Sequence, residues 1–177
     1  METLPNYPVL IRNDDLLSRI DELAREIGAA YRDEPAVFVA VLEGARTFAA
    51  HLLQRLPGAP PCHEVKASSY GDATTSSGNV AVTGQPPPVA NKRVVLIEDI
   101  VDTGRTIERL VAWLRELGAT EVKVATLLSK PSRRVVRVDL EWVGFEIPDE
   151  FVVGFGMDVA GKMRELPDVQ VFVPERP

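Results

Sequence analysis

The order of patterns along this chain predicts an α/β protein built on an open, mostly parallel sheet flanked by helices. Two observations carry that expectation. Residues 36–42 (AVFVAVL) are a continuous apolar run too short for a helix, and 93–98 (RVVLIE) hold the unbroken apolar stretch Val94 to Ile97, as strands buried on both faces do. Segments with apolar residues at helical spacing stand between such runs, and strand, helix, strand, helix, strand in succession packs as parallel crossovers.

Each element has its own signal. Asn13 or Asp14 can cap a first helix, in which Leu16, Ile20, Leu23, Ala24, Ile27 and Tyr31 form one stripe running to about Arg32. Pro35 and Gly44 bound the first long strand, and residues 45–56 return to helical spacing before Pro57-Gly58 stops them. A second strand is expected over 62–70, with Val65, Ala67 and Ser69 on alternate positions. From 71 to 91 Gly, Ser, Thr and Pro dominate and Asp72 is the only charge, so a long mobile loop is expected, carrying a short hairpin near Val80 to Thr83. Loops of that length inside a compact domain are uncommon unless they cover a functional site, a permissive surface insertion being the plain alternative. The strand at 93–98 leads to a helix over 105–117 with Ile107, Leu110, Val111, Leu114 and Leu117 inward and Gly118 as its stop. A strand at 121–128 follows, then short strand candidates at 140–145, 151–155 and 169–173.

Composition narrows the function classes. With 177 residues, 45% hydrophobic and 26% charged, the chain is long enough for one well-packed domain, and it contains no apolar run of the length a membrane span needs. Its one cysteine, Cys62, permits no intrachain disulfide. The first 15 residues lack a cationic stretch followed by an apolar core and a small-residue cleavage site, so a cytoplasmic location is expected. A net charge of −6 argues against nucleic acid as a partner, because neutralising phosphates needs clustered Lys and Arg. Arg133, Arg134 and Arg137 form the one basic cluster, and they read as a solvated strand edge.

In open α/β sheets ligands sit at the carboxyl ends of the strands, where the amides of the next helix point outward. Residues 94–107 (VVLIEDIVDTGRTI) place Glu98 and Asp99 and then an Asp-Thr-Gly-Arg-Thr loop there. Thr103 and Thr106 offer hydroxyls, Gly104 allows close backbone approach, and the helix starting near Arg105 adds free amides and a positive dipole end. Such a loop is a cup for a monophosphate. Glu98 and Asp99 would repel that phosphate, so they suit ribose hydroxyls or a metal. An aspartic-protease loop would lie between β-strands, whereas here an amphipathic helix follows. A plain helix cap explains Asp102 but leaves the acidic pair unaccounted for.

Residues 94–107 resemble the phosphoribosyl-diphosphate signature of type I phosphoribosyltransferases, in the purine-specific form with Ile-Val-Asp-Thr-Gly after the acidic pair. Four further segments extend the likeness: 41–53 (VLEGARTFAAHLL), 66–78 (KASSYGDATTSSG), 127–134 (LLSKPSRR) and 143–158 (VGFEIPDEFVVGFGMD). In this order they look like the hypoxanthine-guanine branch of that family. The resemblance implies a single domain over 1–177, with a core of about 14–130, a hood from about 135–177 joined by the N-terminal segment, and a flexible active-site loop over about 69–91. It also implies transfer of ribose 5-phosphate from phosphoribosyl diphosphate to a 6-oxopurine, with Mg2+, in a homodimer or homotetramer.

Carried onto this chain, the family pattern gives each matching residue a role. Glu98 and Asp99 would hold the ribose hydroxyls and, with Asp158, the metal. Asp102, Thr103, Gly104, Arg105 and Thr106 would cradle the 5-phosphate, and Asp102 would also exchange a proton with the imidazole part of the purine. Lys130 would donate to the 6-oxo group, Phe151 would stack on the base and the backbone of Val152 would read its edge. From the residues alone, Phe151 reads as a core aromatic, and Asp158 with Arg164 as a solvated ion pair. Arg164 would contact pyrophosphate, as would Leu42, Glu43 and Gly44, while Ser69 and Tyr70 would begin the loop that closes over the sugar and excludes water. Family members often carry Leu-Lys-Gly where this chain has Leu42-Glu43-Gly44, so a carboxylate replaces an ammonium beside pyrophosphate. A regulator of the same fold, binding a purine or phosphoribosyl diphosphate without turnover, is the rival reading.

Overall fold

A computed structural model describes residues 7–69 and 80–174. The elements run β1 (Val9–Ile11), α1 (Asn13–Ala30), β2 (Ala36–Leu42), α2 (Ala45–Arg55), β3 (Cys62–Ser69), β4 (Val80–Thr83), β5 (Arg93–Val101), α3 (Arg105–Glu116), β6 (Glu121–Ser129), β7 (Trp142–Glu146), β8 (Val152–Val153) and β9 (Val169–Val171). Six strands form one sheet in the order β4-β3-β2-β5-β6-β7, parallel throughout except for β4, which returns antiparallel to β3. The expected open, mostly parallel sheet is what this chain folds into, and the short pairing falls at Val80–Thr83 as anticipated.

The central strand shows why the apolar runs are unbroken. Val95 and Ile97 of β5 pack with Leu16, Ile20 and Leu23 of α1 and with Phe48 and Leu52 of α2. Val94 and Leu96, on the other face, pack with Ile107, Leu110 and Leu114 of α3. With helices on both faces, no position from Val94 to Glu98 looks toward water, so polar alternation disappears there. Cys62 opens β3 between these layers, and burial pushes its thiol up to about 11.

Several boundaries differ from the sequence expectation for physical reasons. Neither Asn13 nor Asp14 caps α1 with its side chain; Arg12 stands at the cap position, and the Asn13 amide donates instead to Asp168 Oδ1 at 2.7 Å, 155 residues away in sequence. Strand β5 continues to Val101, because β6 offers backbone partners beyond the acidic pair, with Ile100 opposite Leu128 and Val101 opposite Ser129. Residues 131–133 form a single 3-10 turn and residues 134–140 no strand, so the arginine cluster is not a strand edge. Val89 is buried and the Asn91 amide donates to the Gly118 carbonyl, which fixes this end of the long loop region against the end of α3.

A second, three-stranded antiparallel sheet is ordered β1-β9-β8, and just past β8 Gly156 lies against Gly44 and Thr47 at the start of α2. Tyr7, Val153 and Leu166 form its own small apolar cluster. Three-residue strands such as β1 carry too little periodicity to be read from sequence alone.

Candidate active site

Strands β2 and β5 and helix α3 converge on a cavity of about 260 Å³. Leu42, Gly44, Glu98, Asp99, Asp102, Thr103, Gly104 and Thr106 line it, joined by Ala67 from β3. The turn from β2 to α2 lies directly on the acidic pair. A side chain at Gly44 would overlap Asp99 Oδ2, so only glycine permits the approach. The Leu42–Glu43 peptide in this turn is cis.

Glu98 is buried and Asp99 is partly exposed, and the two interact closely. Burial and the neighbouring Asp99 carboxylate push the Glu98 carboxyl well above its ordinary range. Burial also raises Asp99, although hydrogen bonds, among them one donated by the Ile100 amide at 2.8 Å, and the Arg164 guanidinium oppose the rise. The pair therefore has room for hydroxyl donors or a further cation.

Past Val101 the chain turns through Asp102 and Thr103 into α3. Gly104 sits at the helix cap with φ +88°, a left-handed conformation that favours glycine, and a side chain there would meet Arg134 and Val136. The Thr103 hydroxyl accepts from the Arg105 amide at 3.4 Å. Gly104, not Asp102, stands at the cap of α3, so capping does not explain Asp102. Its carboxylate instead accepts from Arg133 Nε at 3.1 Å, and its carbonyl accepts from Arg134 Nη1 at 2.9 Å. Arg134 also donates to Ser129 Oγ at 2.8 Å, tying the loop to the end of β6. The Arg105 side chain is not part of the cavity wall, so its contribution here is its backbone.

Of the other expected residues, Lys130 is linked to Asp102 through Asp149 and Arg133, and Arg164 acts on Asp99. Lys130 follows β6 and is buried, with Asp149 Oδ1 at 3.9 Å from its ammonium. Phe151 is 55% exposed and meets Phe172 edge-on at 5.6 Å, so it is a surface aromatic and not the core residue its type suggests. Val152 is buried in β8. Asp158 and Arg164 pair at 2.7 Å, the Asp158 carboxylate accepts from the Gly161 amide at 2.6 Å, and Arg164 donates to the Gly156 carbonyl. Glu43 departs from the cavity: its carboxylate stands 3.6 Å from Arg46 and 3.5 Å from Lys66, on the outer side of the turn. Ser69 ends β3 opposite Val80, and Tyr70 lies outside the described residues.

Sequence reasoning passed over Asp149 and gave Arg133 and Arg134 no part in the site. The arginines were visible as a cluster, but only the turn after Lys130 brings them to Asp102. A larger cavity, about 850 Å³, opens between the ends of α1 and α2 and the start of β2, and holds none of the expected site residues.

A parallel sheet with an acidic pair and a hydroxyl-bearing, glycine-capped helix start at its carboxyl end defines a binder of phosphorylated sugars or nucleotides. Comparison with known proteins sharpens this. Residues 10–160 match the family described as "Phosphoribosyl transferase domain". The hypoxanthine-guanine phosphoribosyltransferase of Bacillus subtilis is 37% identical over 167 residues, covering 94% of this chain and 93% of that one. The "Bifunctional protein TilS/HprT" of Listeria innocua is 41% identical over 168 residues, and the chain spans only 26% of that longer protein. Among solved structures, a hypoxanthine-guanine phosphoribosyltransferase from Bacillus anthracis superposes with a TM-score of 0.89 at 36% identity, over 97% of this chain and all of that one. The chain belongs to the phosphoribosyltransferase family, in its hypoxanthine-guanine branch.

Among the described residues, no helix is long and apolar enough to cross a membrane.

Proposed function

We propose that this chain transfers ribose 5-phosphate from phosphoribosyl diphosphate to hypoxanthine or guanine, giving IMP or GMP and pyrophosphate, a purine-salvage reaction. The observation that carries the reading is the meeting, in one cavity, of the acidic pair Glu98 and Asp99 with Asp102, Thr103, Gly104 and Thr106 at the start of α3. The loop amides and the Thr103 and Thr106 hydroxyls take the 5-phosphate, and Glu98 and Asp99 take the ribose hydroxyls. Asp102, held above the loop and free of capping, accepts or returns the proton of the purine imidazole, help worth about a hundred- to ten-thousandfold. Pyrophosphate lies against Gly44 and Arg164.

Specificity rests on Lys130. Its buried ammonium has one carboxylate at the outer limit of ion-pair distance and spare hydrogen-bond donors. A 6-oxo group fills that vacancy in its bonding, whereas the amino group of adenine leaves the charge poorly paired. Phe151 presents its exposed ring to stack on the base, and the Val152 backbone reads the base edge.

Among the described residues no three acidic, His or Cys side chains converge on one point, so an Mg2+ ion would take one or two carboxylates, from Glu98, Asp99 or Asp158, and complete its shell with substrate oxygens and water. The donor set fits, since the acidic pair is short of cationic partners. When bound, Mg2+ neutralises the charge that develops on the leaving pyrophosphate. A cytoplasmic homodimer or homotetramer, with no nucleic-acid partner, completes the proposal; the charge of −6 supports the last point.

The test is nucleotide formation followed by ultraviolet absorbance, with phosphoribosyl diphosphate and magnesium, offering hypoxanthine, guanine, xanthine and adenine separately. Turnover of oxopurines and not adenine is expected. Asp102→Asn should lower turnover at least about a hundredfold while phosphoribosyl diphosphate binds as before. Binding of phosphoribosyl diphosphate without turnover of any base would overturn the enzyme reading in favour of a regulator.

A further inference from the structure

Arg133, a member of the basic cluster, stands between the groups to which the proposed function gives the purine. Four charges of alternating sign form a chain. Lys130 Nζ lies 3.9 Å from Asp149 Oδ1, which lies 3.6 Å from Arg133 Nε, which donates to Asp102 Oδ1 at 3.1 Å. The two ends of the chain are the groups to which the proposed function gives the purine: Asp102 for its imidazole proton and Lys130 for its 6-oxo oxygen. The two middle members have no part in that reaction. Arg133 comes from the turn after β6 and Asp149 from the segment just before Phe151, so the guanidinium ties that segment to the Asp102 loop.

A carboxylate that must receive a purine N–H is thus already receiving one from the protein. We propose that Arg133 is a positioning residue that occupies the Asp102 carboxylate while the base site is free and yields it to the purine, remaining anchored by Asp149. The exchange replaces one donor on Asp102 Oδ1 with another and transfers no proton. Its energetic scale is small because both partners face water: the side chains of Arg133 and Asp102 are 48% and 41% exposed, and exposed pairs are weak. A weak hold suits a residue that must let go in every cycle. Arg134 is different, since it holds the loop backbone and Ser129 and would stay in place throughout.

The inference rests on the proposed function, and its test separates the two. At saturating phosphoribosyl diphosphate, Arg133→Ala should raise kcat/KM for hypoxanthine about two- to fivefold, the range set by a surface ion pair, with KM for phosphoribosyl diphosphate unchanged. Arg133→Lys, which can restore an ion pair to Asp102, should return the wild-type value. Hypoxanthine is neutral, so added salt should raise its kcat/KM in the wild type by screening the Arg133–Asp102 pair and leave Arg133→Ala flat. A merely structural Arg133 would instead lower the melting temperature and worsen both substrates together. An active wild type in which Arg133→Ala leaves hypoxanthine kcat/KM unchanged or lower overturns this inference alone. A wild type that forms no nucleotide overturns the proposed function and the inference with it.

Discussion

Two residues of the site are constrained by opposite forces, Gly44 by steric exclusion and Glu98 by desolvation. Gly44→Ala would drive a methyl group into the Asp99 carboxylate, and the neighbour that must move is half of the acidic pair. Loss of activity of a hundredfold or more is expected, with a measurable drop in melting temperature, and an active, stable variant would show that the turn can shift. Glu98 gives a pH signature. Its folded-state pKa lies above the ordinary 4.5, so the protonated acid favours the fold. That contribution is full below about pH 4.5 and is lost as pH rises through the folded value. Gln mimics the protonated form, so in magnesium-free buffer Glu98→Gln should melt at least about 2 °C above wild type at pH 8 and level with it near pH 4. Calorimetry at the two pH values checks the sign; equal melting at both would mean the pair is solvated.

At the scale of elements, the turn between β2 and α2 changes how the Leu-Glu-Gly departure is understood. Glu43 stands beside Arg46 and Lys66, away from the cavity, so in the proposed binding mode the carboxylate does not face pyrophosphate. Glu43→Lys should therefore leave KM for phosphoribosyl diphosphate within about twofold, because the substituted side chain would point outward like the original. It would place a third cation beside Arg46 and Lys66, lowering stability by under about 1 kcal/mol, the scale of surface charges. A large gain in phosphoribosyl diphosphate affinity would show that the side chain reaches the cavity.

Elements also differ in how far sequence reveals them. Strands β2 and β5 and helix α3 were legible because burial on fixed faces imposes a period, and the acidic pair and its loop were legible because they are contiguous. The cap of α1 was not, since its partner Asp168 is 155 residues away. Nor was the link between Arg133 and Asp102, which depends on a single 3-10 turn with no periodic signature. Phe151 misled in the other direction: an aromatic usually belongs in a core, and here the ring stands out of it.

For the whole molecule, the two faces of the main sheet divide the apolar residues into two cores, while the carboxyl strand ends carry the polar residues of the site. Stability and chemistry are thereby kept on different surfaces of the same strands, which is why the fold could be read from apolar spacing and the site from the breaks in it. The start of β3, far from those breaks, has a practical bearing. The chain's sole thiol, that of Cys62, has its acidity suppressed to about 11, so at neutral pH only about one molecule in ten thousand carries the nucleophilic thiolate at any moment. Alkylating reagents and peroxide should thus react slowly with this half-buried sulfur, and the protein should keep in air, without added reductant, largely free of mixed disulfides.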